Sequence, residues 1–168
     1  MLVAHGNGIS AASLVRLQFE ALVRGMWVWY AASDEAIEKL LAPVSTESLQ
    51  KASDLPGVSV MLKALAKAEG IPQMAVEMLV DFKERLLNEL HSLVHSGFLP
   101  YKLHELGEIV EINSIITKTV RHSNGLVTMA GMMMALLSGE ESVITPMTKI
   151  QHQFKDCLPE LIAPNESH

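Results

Sequence analysis

The chain has 168 residues, 49% of them hydrophobic but only 5% aromatic, and it carries a formal net charge of −6. That length holds one domain, 1–168, ending in a flexible tail over 158–168, and the aliphatic, methionine-rich composition excludes a sheet-dominated fold, whose strands draw on aromatic and β-branched residues. The acidic balance excludes a general polyanion-binding surface, while the single cysteine, Cys157, excludes an intramolecular disulfide framework and fits the reducing cytoplasm.

The opening MLVAHGNGIS has no basic stretch leading into a long apolar core, so no secretory signal is expected. Ser10 is placed to cap a first helix over about 10–32, and Asp34 to cap a short acidic helix that ends near Leu41, ahead of Pro43. The turn-rich VSTESLQKASDLPG holds one short helix, and GVSVMLKALAKAEG, about 57–69, holds another with Gly70 as its stop. Pro72 opens a long helix over about 72–96, closed by Gly97 and Pro100.

From His104 the pattern is helical again, breaks or bends at HSNG, and resumes in LVTMAGMMMALL to about Ser138. This apolar stretch, 126–137, is far short of the ~20 residues a membrane span requires, so it reads as a buried helix and no membrane partner is expected. Pro146 opens a last helix over about 147–157. With no strand or internal repeat, the expectation is an all-α helical bundle of about five to seven helices.

On the 72–96 helix, successive residues are about 100° apart, which gathers Asp81, Glu84, Arg85, Asn88, His91, Ser92 and His95 into a sector of roughly 120°. Leu79, Phe82, Leu86, Leu90, Leu93 and Val94 fill the other side. The ordinary explanation is a solvated face. Against it, the stripe has no lysine, the usual filler of such a face, while Lys83 sits across from it, and it is rich in groups that do chemistry. Histidine titrates near neutrality, and Arg85 is a fixed cation able to hold a phosphate or carboxylate.

The first helix is apolar almost all round, with Val15, Phe19, Leu22, Val23, Met26, Trp29 and Tyr30 on one broad side and Leu14, Leu17, Ala21 and Val28 on another. Within it, Arg16, Glu20 and Arg24 recur at i, i+4 and i+8. Such a helix is normally buried, and buried charges are paired. One reading is a structural ladder neutralised by Glu20. The other leaves a positive charge free for an anion or for Asp81 and Glu84 of the long helix.

Histidines at i and i+4 can also share a metal ion, with Glu84 or Asp81 and with His104 or His122 as further ligands. No glutamate follows the first histidine, as it does in the zinc-protease helix, so an anion pocket is expected rather than a metal or another cofactor. The methionines of 129–134 read as core filler, and Cys157 as a bystander thiol.

The strings SLVRLQFEALVRGMWVWYAAS and LNELHSLVHSGFLPY, within 9–105, resemble a group of uncharacterised bacterial helical proteins related to abortive-infection and HEPN-type domains. The resemblance implies a HEPN-like bundle, commonly a homodimer, with the polar stripe facing a cleft. It also implies a toxin or phage-defence setting, and RNA or a protein as partner. Many such proteins are metal-independent ribonucleases that use an arginine followed by a histidine, a spacing Arg85 and His91 satisfy, although Leu86 stands where the motif usually has a polar residue.

On this reading His91 or His95 is the base that activates a ribose 2′-hydroxyl. Arg85, with Arg16 or Arg24 and Asn88, holds the phosphate. The alternative is a non-catalytic helical interaction module, antitoxin-like or a defence-complex partner, in which the Arg, Glu and His residues form a polar network that fixes helix register. The apolar surface of MAGMMMALL, more than one small bundle can cover, points to a homodimer.

Overall fold

The computed structural model describes residues 7–94 and 109–159, with side chains described except at 8, 9, 49, 51–53, 85–94, 109–113 and 115. Among the described residues every regular element is helical and there is no strand, so the chain is all-α. The helices are α1 (Gly8–Tyr30), α2 (Asp34–Leu41), α3 (Thr46–Ser53), α4 (Val58–Leu65), α5 (Gln73–Val94), α6 (Ile109–Ser138) and α7 (Glu141–Gln153), followed by a 3-10 turn, Lys155–Cys157.

Local chemistry sets most of the helix ends. Helix α1 starts before Ser10: Asn7 stands ahead of the first turn and its carbonyl accepts from the Ala11 amide at 3.0 Å. Ser33, not Asp34, caps α2, its hydroxyl accepting from the Ala36 amide at 3.3 Å, while Asp34 and Glu35 lie in the first turn, where the helix dipole favours acids. Ser45 and Ser48 bond reciprocally at the start of α3, each hydroxyl accepting from the other's amide, at 2.7 and 3.0 Å. This satisfies two amides that a helix start leaves without helical partners. Helix α4 ends at Leu65, short of the expected 69, and Gly70 turns the chain at φ 76°. Pro72 precedes α5, and its carbonyl accepts from Ala75 at 2.9 Å. The stop signals Gly97 and Pro100 lie outside the described residues.

A break at HSNG and a helix start at Pro146 are both overturned. Helix α6 runs unbroken through HSNG, because the polar side chains there find partners without interrupting the backbone ladder. Asn124 Nδ2 donates to the Cys157 carbonyl at 3.0 Å, and Ser123 Oγ donates to Gln18 Oε1 at 2.9 Å. Pro146 lies inside α7 instead of opening it. The helix is already nucleated one turn earlier, where the Glu140 carbonyl accepts from Val143 and Ile144 at 2.9 and 3.2 Å, so the proline removes one helical donor without preventing the start.

The helices fall into two compact units, with boundaries inside α1 and α5. The unit Phe19–His91 holds a core of Phe19, Leu22, Val23, Met26 and Trp27 from α1, Met61, Leu62 and Leu65 from α4, and Val76, Leu79 and Phe82 from α5. Burying each of these large side chains contributes about 1.5–3 kcal/mol. Val15, Phe19, Leu22, Val23 and Met26 of the expected α1 face are buried, and the face departs from expectation at the tryptophans: Trp27 is 5% exposed and Trp29 is 60% exposed. Trp27 follows Val23 by one turn and continues the 12–15–19–23 line, whereas Trp29 falls off it.

In the unit formed by Met1–Gln18 and Ser92–His168, α6 and α7 pack together and the 3-10 turn lies against α6. Ala12, Val15, Leu126 and Ala135 are buried there, with Thr119 as a buried polar residue. The segment LVTMAGMMMALL is helical but only partly buried: Leu126 and Ala135 are buried, whereas Val127, Met134 and Leu136 are exposed, and α7 has no buried residue.

Candidate functional site

Helices α1 and α5 meet where the rings of Phe19 and Phe82 stack. Glu20 and Asp81, the chain neighbours of these rings, are half-buried, and neither is without a partner. The stack thus places polar members of the two sequence stripes beside one contact. Arg16 is half-buried and also has a partner, whereas Arg24 and Glu84 are exposed. The buried charged ladder expected on α1 is therefore a half-buried pair of positions ending in a solvated arginine. The side of α1 that carries Leu14 and Leu17 is open, which leaves room for the charges beside it.

Helix α5 is continuous through Arg85, Asn88 and His91, so the helical spacing that groups them with Asp81 holds in the backbone. The side chains of Arg85, Asn88 and His91, and the whole of His95, lie outside the described residues. His122, considered above as a further metal ligand, turns its Nδ1–H to the Lys118 carbonyl at 2.6 Å, back along its own helix. Among the described residues no group of three His, Cys, Asp or Glu gathers into a metal-binding cluster. No helix of the described residues is long and apolar enough to cross a membrane. Cys157 is exposed, and its carbonyl accepts from Asn124.

A chain with this all-α order and these stripes matches one family model over residues 1–160. The chain belongs to DUF6988, a family of unknown function. No curated protein and no solved structure matches it.

Apolar residues face outward on the C-terminal helices, and only those of MAGMMMALL stood out in the sequence as surplus apolar surface. Val127 and Met134 on α6, Val143 and Ile150 on α7, and Phe154 just past its end are exposed. Their spacing was the available signal: 127 and 134, and 143 and 150, are each seven apart, the repeat that keeps side chains along one line of a helix.

Proposed function

We propose that the chain is a non-catalytic helical interaction module that works through apolar helix faces. The observation that carries this reading is the run of exposed large apolar side chains along α6 and α7, together with the absence of any buried residue on α7. Isolated exposed leucines are ordinary, whereas large apolar side chains recurring at seven-residue steps on two helices favour a surface that another molecule covers. Arg16 and Glu20, half-buried and partnered, fit a polar network that fixes helix register. The setting suggested by the HEPN-like resemblance is a cytoplasmic defence or toxin–antitoxin system, with the chain as antitoxin-like component or complex partner. An apolar fluorescent dye tests the reading. The purified protein should enhance the dye's emission, and Met134→Glu with Phe154→Glu should lower it severalfold. Emission that is unchanged in the double variant contradicts the reading.

A second reading, a metal-independent endoribonuclease, is favoured by the α1–α5 contact at Phe19 and Phe82 and by the continuity of α5 through Arg85, Asn88 and His91. In it, His91 or His95 takes the 2′-hydroxyl proton, the 2′-oxygen attacks phosphorus, and the 5′-oxygen leaves as it is protonated, with Arg85 neutralising the phosphate. The net charge of −6 opposes capture of RNA in general and confines this reading to a narrow cleft. Labelled RNA incubated with the protein and with His91→Ala and His95→Ala is the test. Cleavage that is absent, or the same in all three, eliminates it.

A further inference from the structure

Two notches in α6 receive the segment 141–159, which comprises α7 and the turn after it. Gly131 leaves room for the end of Met147, whose Cε and Sδ would stand 3.1 and 3.2 Å from a Cβ there. Gly125 leaves room for the ring of Pro159, whose Cδ and Cγ would stand 2.9 and 3.0 Å from one. Beside this second notch Asn124 Nδ2 donates to the Cys157 carbonyl at 3.0 Å. Among the described residues it is the one hydrogen bond that ties 141–159 to an earlier helix.

Little else holds the segment down. Helix α7 has no buried residue, and Val143, Ile150 and Phe154 are exposed. Lifting it from α6 therefore uncovers less apolar surface than removing α1, α4 or α5, each of which buries several large side chains. Few buried contacts and a solvent-facing backbone ladder mark a segment that opens before the whole molecule unfolds. At the near end, Gly139 turns the chain at φ 68° with nothing within 4 Å of where a Cβ would stand. A small residue at the end of a helix, with open space around it, can absorb a change of backbone direction.

We propose that 141–159 is a hinged clasp that swings away from α6 as one body about Gly139. Its catch, at the far end, is the Asn124 bond to Cys157 with the Pro159 ring in the Gly125 notch. The segment moves as one because its backbone bonds run on past α7. Phe154 N–H donates to the Ile150 carbonyl at 3.0 Å, Cys157 N–H to that of Phe154 at 2.9 Å and Leu158 N–H to that of Lys155 at 3.1 Å. Opening bares the side of α6 that carries Gly125 and Gly131, which the closed molecule covers with its own chain. The clasp goes beyond the interaction-module reading and does not depend on it.

Hydrogen exchange of the full chain, followed by mass spectrometry, tests the clasp. Amides of 143–158 should exchange together, at least about tenfold faster than those of 126–135 in α6. Asn124→Ala, which removes the catch, should speed exchange of 143–158 by roughly fivefold and leave 19–84 unchanged. Gly139→Ala strains the closed hinge, and opening relieves that strain, so it should speed the same amides by about tenfold. Strain relieved only by global unfolding would leave their local exchange as it was. Rates in 143–158 as slow as those in 126–135, or graded inward from 158 as in simple fraying, overturn the clasp. Variants that leave 143–158 unchanged, or that speed 126–135 equally, overturn it too. Should one variant fail to fold, the unmodified chain and the other variant decide.

Discussion

Phe19 and Phe82 stack with ring centroids 4.7 Å apart and planes at 21°, joining α1 to α5 inside the core of the Phe19–His91 unit. Both rings are buried, Phe19 completely. Truncating either to alanine should cost about 3–5 kcal/mol, from lost burial and the cavity left behind. The double variant should cost less than the two singles combined by about 0.5–1.5 kcal/mol, the coupling of a stacked pair. Urea unfolding of the four proteins measures this coupling, and strict additivity would mean that the ring contact adds nothing beyond burial.

Two glycines of α6 should respond in opposite directions to alanine. A Cβ on Gly125 would meet Pro159 Cδ at 2.9 Å and Cγ at 3.0 Å, atoms of a rigid ring. A Cβ on Gly131 would meet the Cε and Sδ of Met147 at 3.1 and 3.2 Å, the flexible end of a long side chain. Alanine improves helix propensity by about 1 kcal/mol at either site. Overpacking against the ring costs about 1–3 kcal/mol. Gly125→Ala should therefore lower the melting temperature, and Gly131→Ala should leave it unchanged or raise it. The reverse order would show that the segment at Pro159 moves aside freely.

Gly139 joins α6 to α7 at φ 68° and has nothing within 4 Å of where a Cβ would stand. Only backbone strain opposes a side chain there. Gly139→Ala should cost about 1–2 kcal/mol, and Gly139→Asn less, since asparagine tolerates the left-handed region. Thermal melts of the two variants check the ranking, and equal losses would point to a steric cause instead.

The Lys39 ammonium lies 2.8 Å from Glu35 Oε1, one turn along α2. Its hydrogen bond, and then its charge, hold the Glu35 carboxyl below the ordinary value of 4.5, and the same contact raises Lys39 above 10.5. Glu35's contribution to stability is present above pH 4.5 and is lost as pH falls through its lowered value. That of Lys39 is present below pH 10.5 and is lost as pH rises through its raised value. The pair is solvent-exposed, so the effect on folding is small. An NMR titration should place the Glu35 midpoint below 4.5, and Lys39→Gln should return it upward. An unmoved midpoint would show that the pair does not form in solution.

Much of the candidate site was legible as pattern. The spacing of Asp81, Arg85, Asn88 and His91 predicted a shared helix, and α5 supplies one. That Glu20 and Asp81 would flank one contact between α1 and α5 was not legible, since it depends on which face of each helix is buried. Trp27 shows the difficulty. A helix with apolar residues on most sides offers several faces to a core, and periodicity alone did not distinguish Trp27 from Trp29.

That the chain is all-α could be read from the sequence, and several helix boundaries could be placed to within about a turn. Those features depend on groups within about one turn: the serines at 33, 45 and 48, the proline at 72 and the glycine at 70 act on backbone groups nearby in the chain. That HSNG continues α6 depends on long-range contacts, because the partners of Ser123 and Asn124 come from Gln18 and Cys157, distant in sequence. Only the tertiary structure decided that Val127 and Met134 stand exposed although their segment reads as core. Hydrophobicity states what a side chain gains by burial, whereas burial itself requires a neighbour, and neighbours are set by packing between distant segments.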